Sequence, residues 1–330
     1  MDLGGTGNKL KMFYVTDWNI NPGFHKFEKH RFPQGYIELM PWFTLNWNDI
    51  DKHITGKDNI IFINTPIGDE LNKLKKIKSL IPNNTVFVIQ EGNFRDWYEW
   101  SAEEQELYIE CISTCKAFMC NTDAAAEANI FAERLVHGRI CANLFLEEPR
   151  GWGGDYVFLI NPIKRFQTGM IAHKIVRDAV PTTVPIYSMK YNRPANPVLY
   201  HAYPDAYKMP GFVLLDTCSP DEWMGRIYNS KFGVDIARDF AGGNAALEFA
   251  SLGVPLIGNQ LLESQADLFP DISFDYKDAQ GIKQAIHKLL NDKDFYNEVA
   301  TKAHSRAVSH WNSSVVVNEF KQNLKKYIDL

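Results

Sequence analysis

A glycine-rich turn followed by a short helix carries the clearest chemical signal in this chain of 330 residues. Gly242 and Gly243 permit a tight turn with close backbone approach. Asn244 can cap a helix that runs from Ala245 to about Leu252 and ends at Gly253. Such a helix presents free N–H groups and the positive end of its dipole, both of which suit a phosphate. Glu248, one turn into the helix, could accept hydrogen bonds from both hydroxyls of a ribose. The spacing predicts a nucleotide site, with an ordinary α/β turn and a solvated Glu248 as the alternative.

A second group of residues could complete a site for a nucleoside diphosphate. Lys164 and Arg165 follow the first predicted strand of the second half, where the arginine would bind phosphate oxygens as a fork and the lysine as a point charge. Thr217 and Cys218 lie in a turn after a later strand and could pair with a nucleobase through their backbone. A surface pair of charges is the alternative for Lys164 and Arg165.

Two carboxylates end predicted strands of the first half, where a general base for an acceptor hydroxyl could lie. Asp17 follows the first strand, and Glu91 follows the strand TVFVIQ, with Arg95 nearby. Both carboxylates are expected to face one cleft, because ligands of parallel sheets bind at the carboxyl ends of the strands. Solvated loop carboxylates are the alternative for both.

The segment HKFEKHRFP, residues 25–33, interleaves basic side chains with phenylalanines. Its His25, Lys26 and Arg31, together with the earlier Trp18, could hold an anionic or polynucleotide acceptor. A solvated loop or short helix is the alternative.

Strands and helices alternate along most of the chain. The apolar runs NIIFIN and TVFVIQ have the composition of buried parallel strands. Asp69 can cap the helix that follows the first run, and Ser101 with Glu104 has the spacing of a capping box. The proline and glycines of residues 141–155 interrupt the alternation, which resumes at Tyr156. This pattern predicts an α/β fold with a hinge near the middle of the chain.

The predicted architecture has two Rossmann-like doubly wound domains that face each other across a cleft. Residues 1–145 would bind the acceptor, and residues 146–310 would bind the nucleotide sugar. Residues 311–330 are expected to form a helix that packs back on the first domain.

Composition argues against several classes of protein. A net charge of −5 disfavours a protein bound to its partner mainly by a global positive field. No apolar run reaches about 18 residues, so no membrane span is expected, and the polar start MDLGGTGNKLK is unlike a signal peptide. The cysteines and histidines lack metal-ligand spacing, so no metal site is predicted. A cytoplasmic protein is expected (host cytoplasm if viral), with no required cofactor and at most Mg²⁺ or Mn²⁺ beside the diphosphate.

The glycine-opened helix resembles the nucleotide-sugar half-site of GT-B glycosyltransferases. The resemblance lies in Ala246-Leu247-Glu248-Phe249-Ala250 and the following Gly253-Val254-Pro255-Leu256-Ile257. It implies a GT-B fold and a nucleotide-sugar donor. Retaining members of that superfamily carry a second glutamate eight residues before the first, where this chain has Phe240 beside Asp239.

Two segments of the first half, NIIFINTPIG and TVFVIQEGNFRDW, resemble in order and spacing segments of the phage DNA β-glucosyltransferases. The resemblance implies that Glu91 is the general base, at a position where that family has aspartate, with Arg95 close by. It also implies that Lys164, Arg165 and Thr168 contact the donor diphosphate.

The combined interpretation is a hexosyltransferase that moves a sugar, with glucose expected, from a UDP-sugar to an acceptor hydroxyl. The favoured acceptor is a hydroxymethylated base such as hydroxymethylcytosine in double-stranded phage DNA, which would have to be flipped from its stack. A glycan, lipid-linked sugar or small molecule is the competing acceptor. A non-catalytic nucleotide- or DNA-binding module on the same fold is the competing class. Oligomeric state and stereochemical outcome stay open.

Overall fold

The computed structural model describes residues 11–16, 43–64, 69–90, 100–120, 135–137, 139, 146–160, 166–189, 212–216, 218–236 and 244–328. The chain divides into two compact units. Unit 1 comprises Met1–Cys141 and Ser313–Leu330, and unit 2 comprises Ala142–Asn312.

Unit 1 is built on a parallel sheet of six strands in the order β2-β1-β3-β4-β5-β6. The strands are β1 Met12–Thr16, β2 Phe43–Asn46, β3 Ile60–Asn64, β4 Thr85–Gln90, β5 Ala117–Cys120 and β6 Leu135–His137. The helices are α1 Ile50–His53, α2 Glu70–Leu80, α3 Ala102–Thr114 and, at the end of the chain, α10 Ser313–Leu324. The strand order reverses between β1 and β3, as in doubly wound sheets.

The core of unit 1 forms because β3 and β4 are apolar along their lengths. Phe62 and Phe87 lie opposite each other in the register of these strands, with their rings stacked at 4.7 Å. Phe320 of α10 lies 6.4 Å from Phe62, and the Tyr327 ring meets Phe87 edge-on at 6.4 Å. The last helix therefore packs on the sheet of unit 1.

Of two predicted side-chain caps in unit 1, the one at the start of α3 is observed and the one at the start of α2 is not. Ser101 caps α3, and the capping box with Glu104 is complete, as the spacing predicts. Asp69 was expected to cap α2, but its side chain makes no capping bond and instead accepts from Asn72 at 2.8 Å. Its backbone is left-handed, with φ 54°, whereas a capping residue normally has an extended backbone.

Unit 2 is built on a second parallel sheet of six strands in the order β12-β11-β10-β7-β8-β9. The strands are β7 Tyr156–Leu159, β8 Ile186–Met189, β9 Phe212–Leu215, β10 Ser230–Asp235, β11 Leu256–Asn259 and β12 Ser273–Phe274. The helices are α4 Phe166–Ala179, α5 Pro220–Asn229, α6 Asn244–Ser251, α7 Glu263–Leu268, α8 Ala279–Asn291 and α9 Lys293–His310. From the β9 edge this is the order 3-2-1-4-5-6 of dinucleotide-binding Rossmann folds, with its reversal between β7 and β10.

Close packing around α6 depends on two glycines. A Cβ on Gly233 of β10 would lie 2.5 Å from the Phe249 ring of α6, so the missing side chain lets helix and sheet approach. Gly253 ends the helix with a positive φ of 64°, and its N–H donates to Ala250 at 3.0 Å. The predicted stop at Gly253 is thus seen in the backbone.

The segment expected to act as a hinge is fastened to unit 2 where it is described. Arg150 donates from its guanidinium to the carbonyls of Tyr228 and Ser230, the latter at 2.6 Å, and also binds the hydroxyl of Tyr296. Burial raises the pKa of Tyr296 to about 12. Its hydroxyl therefore stays protonated across the neutral range and donates to the carbonyl of Lys231 at 2.7 Å.

Candidate functional site

The carboxyl edge of the second sheet contains the described part of the predicted nucleotide site. Strand β10 ends at Asp235, and α6 begins at Asn244 after a connection that lies outside the described residues. The reversal of strand order between β7 and β10 is where open parallel sheets bind ligands. Chain order alone places Lys164 and Arg165 after β7, and they too lie outside the described residues.

Helix α6 turns an apolar face to the core and leaves Glu248 partly exposed. Ala246, Leu247, Phe249 and Ala250 are all buried, with at most 1% of any of them exposed. The position of Glu248 follows from this pattern, because it falls on the remaining side of the helix. A partly exposed carboxylate therefore lies one turn into the helix that follows strand β10.

The Glu248 carboxylate is held by a neighbouring helix. The indole N–H of Trp223 in α5 donates to its Oε2 at 2.8 Å. The Trp223 ring in turn packs 5.2 Å from the ring of Phe158, a fully buried residue of β7. The indole is thus supported by the core on one side and delivers its only hydrogen-bond donor to the carboxylate on the other.

Asn244 differs from its predicted role. It is the first residue of α6, rather than the residue before it, and its buried Oδ1 has no hydrogen-bond partner among the described residues. The side chain therefore does not cap the helix as the sequence suggested. Ala245 follows it on the same turn and is partly buried.

The turn after β9 is also bound by α5. Arg226 donates from Nη1 to the carbonyl of Asp216 at 2.8 Å and from Nη2 to Glu222 at 2.9 Å. Cys218 is partly buried, and this burial raises the pKa of its thiol. The thiol is therefore neutral at pH 7, which suits a contact with an uncharged base better than nucleophilic chemistry.

Four of the residues predicted for the site have described side chains: Asn244, Ala245, Glu248 and Cys218. The helix α5 connects two parts of the set, since it binds both Glu248 and the turn that contains Cys218. Thr168 lies on α4, with its side chain outside the description. The other predicted residues also lie outside the described part of the chain: Asp17, Trp18, His25, Lys26, Arg31, Glu91, Arg95, Lys164, Arg165, Thr217, Gly242 and Gly243.

Trp223 and Arg226 were missed from the sequence. Their only sequence signal is that they lie three residues apart on a helix that follows the predicted nucleobase turn. Glu248, the partner of Trp223, is 25 residues further along the chain and beyond strand β10, so local spacing does not reveal the contact.

Within the described residues, none of the helices combines the length and apolar character needed to cross a bilayer. The same residues contain no cluster of three or more histidine, cysteine, aspartate or glutamate side chains suited to a metal ion.

Comparisons with known proteins show the fold. No protein-family model matches the chain, and no curated protein matches it. Solved structures do match, among them S. aureus TarM, a mutant of which was crystallised with fondaparinux, α-GlcNAc-glycerol and UDP. TarM has a TM-score of 0.64 and 14% identity over 84% of this chain and 57% of the TarM chain. The chain thus spans little more than half the length of TarM.

Two other matches extend over nearly the whole of both chains. The N-terminal domain of Candida albicans trehalose-6-phosphate phosphatase has a TM-score of 0.67 and 11% identity, over 98% of this chain and 99% of that one. Anabaena Alr3699/HepE, solved with UDP and glucose, has a TM-score of 0.65 and 10% identity, over 96% and 100%. The chain therefore has the GT-B type of α/β fold, with two Rossmann-like units.

Proposed function

We propose that this protein is a glycosyltransferase that takes a sugar from a UDP-sugar and attaches it to an acceptor hydroxyl. The observation that carries the proposal is the Glu248 carboxylate, which accepts a hydrogen bond from Trp223. Glu248 lies on α6, the helix that follows β10 at the reversal of strand order in unit 2. Support comes from solved structures of the same fold that contain UDP.

The residues of unit 2 take the donor in this proposal. Glu248 accepts hydrogen bonds from the ribose hydroxyls, and the amino end of α6 with Gly242, Gly243 and Asn244 binds the diphosphate. Lys164, Arg165 and Thr168 add charge and hydrogen bonds to the leaving diphosphate. Thr217 and Cys218 contact the uracil ring through the turn after β9.

The residues of unit 1 take the acceptor. Glu91, or Asp17 in its place, removes the proton from the acceptor hydroxyl as its oxygen bonds to the anomeric carbon of the sugar. The bond from that carbon to the diphosphate oxygen breaks, and UDP leaves with the electron pair. Stabilising the charge on UDP is the task of the groups in unit 2.

For the acceptor, the proposal keeps a hydroxymethylated base in phage DNA, with glucose as the sugar. Its support is the resemblance of the segments around Glu91 and the basic segment 25–33, whereas the net charge of −5 opposes it. Sugars and sugar phosphates are the second candidate class. The matched folds favour this class, since they include trehalose-phosphate and sucrose-phosphate synthases.

A binding and transfer assay tests the proposal. UDP binding is measured by calorimetry for the native protein, for Glu248→Gln, and for Glu298→Gln, a matched change at an exposed glutamate of α9. We expect micromolar binding that weakens at least tenfold in the first variant only. Mass spectrometry then follows label from UDP-glucose to hydroxymethylcytosine DNA and to a panel of sugar acceptors.

The outcomes separate the hypotheses. Transfer to DNA alone selects the DNA acceptor, and transfer to a sugar alone removes it. UDP binding without hydrolysis or transfer to any acceptor would favour a non-catalytic module. An absence of UDP binding would overturn the proposed function.

A further inference from the structure

Helix α5 binds two parts of unit 2 that the proposed function assigns to the nucleoside. Trp223, in the first turns of α5, donates to Oε2 of Glu248 at 2.8 Å. Arg226, one turn later, donates to the carbonyl of Asp216 at 2.8 Å. Residues three apart lie on neighbouring positions of a helix surface, so one stripe of α5 reaches both parts.

The stripe is itself fixed on both sides. The Trp223 ring lies against Phe158 in the core of unit 2, with ring centroids 5.2 Å apart and a tilt of 55°. The carbonyl of Arg226 accepts from the hydroxyl of Tyr156 at 2.5 Å, and its guanidinium is paired with Glu222. Both supporting aromatic residues belong to β7, the strand at the reversal of strand order.

The start of α5 is equally well defined. Ser219 accepts from the N–H of Glu222 at 3.3 Å, and a proline occupies the first helical position. Both features favour one helix register. The helix therefore offers its donors from a rigid frame, which lowers the entropy lost when a ligand binds.

We infer that α5 is the positioning element of nucleoside recognition: Trp223 orients Glu248 toward the ribose hydroxyls, and Arg226 sets the turn after β9 against the base. This inference rests on the proposed function and deepens it. Trp223 is a positioning residue, since it acts through the carboxylate rather than on the ligand. A carboxylate that lacks the indole donor is oriented less precisely toward two hydroxyls, and it loses much of its preference for ribose over 2′-deoxyribose.

The test compares UDP with dUDP in full-length protein by calorimetry. Trp223→Phe removes the N–H donor and keeps an aromatic ring for Phe158, whereas Trp223→His keeps a ring N–H. The matched control is Trp311→Phe, which removes an indole N–H that donates to Asp267 at 2.7 Å elsewhere in unit 2. Glu248→Gln and the double variant Trp223→Phe/Glu248→Gln complete a cycle.

We expect the native protein to prefer UDP over dUDP and Trp223→Phe to lose about tenfold of that preference, equivalent to ~1.4 kcal/mol. Trp223→His retains more of it than Trp223→Phe, and Trp311→Phe retains all of it. In the Glu248→Gln background, Trp223→Phe changes the preference by less than about twofold, because the group that it positions is already altered.

The two levels of the account fail separately. If the native protein binds neither UDP nor dUDP, the proposed function is wrong. If the native protein binds UDP with a ribose preference that Trp223→Phe leaves intact, only the positioning role of α5 is wrong. Equal losses in the phenylalanine and histidine variants would assign the effect to packing and would also overturn that role.

Discussion

Two pairs in the described part of unit 2 share one chemistry, an indole N–H that donates to a carboxylate. Trp223 donates to Glu248 at 2.8 Å, and Trp311 donates to Asp267 at 2.7 Å. Trp311 is 1% exposed at the end of α9, and its carboxylate partner also binds Arg306, so this pair joins α9 to α7. Trp223 and Glu248 are both partly exposed and lie beside the carboxyl edge of the sheet.

The difference between the pairs shows that a contact acquires its role from its location. The Trp311 indole is buried between two helices, although its Asp267 partner is partly exposed, so the cost of breaking this pair appears in unfolding. A partly exposed pair where a parallel sheet binds ligands contributes less to stability and is available to a ligand. The Trp311 pair is thus the structural reference against which the Trp223 pair can be measured.

The largest expected effect is on the structural pair. Trp311→Ala empties a fully buried site and leaves Asp267 without its indole donor. We expect unit 2 to lose about 3–5 kcal/mol of stability, measured by denaturant unfolding. UDP affinity, measured below the unfolding transition, should stay within twofold of native. A large loss of UDP affinity would contradict the assignment of the Trp311 pair to stability alone.

The next effect comes from Gly253→Ala, which disturbs the helix of Glu248 from its far end without changing either tryptophan. The residue has φ 64°, and its new Cβ would lie 2.3 Å from Cβ of Pro149. We expect a loss of about 2–3 kcal/mol in denaturant unfolding, together with weaker UDP binding as α6 shifts. Unchanged stability would show that the segment around Pro149 can move to accommodate the added Cβ at little cost in free energy.

Neutralising the two carboxylates should have opposite effects on stability and on UDP affinity. Asp267→Asn should lower stability by about 1–2 kcal/mol and leave UDP affinity unchanged, because its Arg306 pair and indole bond belong to the fold. Glu248→Gln should change stability little and weaken UDP binding about tenfold or more. Thermal unfolding measures the stability of both variants, and calorimetry measures their UDP affinity. The opposite assignment of effects would contradict the comparison.

The smallest effect lies in unit 1, where a carboxylate contact has no expected link to the nucleotide. The side-chain and backbone hydrogen bonds from Ser101 hold the pKa of Glu104 below its ordinary value of 4.5. Its contribution to stability is therefore present above pH 4.5 and is lost as the pH falls through the lowered pKa. Ser101→Ala should lower Tm by a few degrees at pH 7, and by less at pH 3. Glu106→Gln, an exposed change on the same helix, serves as the control.

Much of the fold could be predicted from the sequence because its signals are local. The apolar runs of β3 and β4, the capping box at Ser101 and the stop at Gly253 each act within a few residues. The cap predicted at Asp69 was wrong, because a left-handed backbone overrides the preference of its side chain. Asn244 is the first residue of its helix rather than the capping residue before it, a difference of one position at a helix boundary.

The candidate site could be predicted only in part. Glu248 was found because it lies one turn into a helix whose start is marked by the preceding glycines, so the signal is local in the sequence. Trp223 was missed because its bond to Glu248 crosses between helices, through the packing of α5 on the sheet. Contacts of that kind depend on the tertiary packing of distant segments, and the spacing of residues in the sequence does not predict them.

The most direct measurement of the central claim is a crystal structure of the protein with UDP. The account predicts that both Glu248 carboxylate oxygens lie near the ribose, with at least one within about 3.2 Å of a hydroxyl, and that the indole of Trp223 still donates to Oε2. It also predicts the diphosphate at the amino end of α6. UDP bound away from α6, or a ribose that does not contact Glu248, would contradict the account.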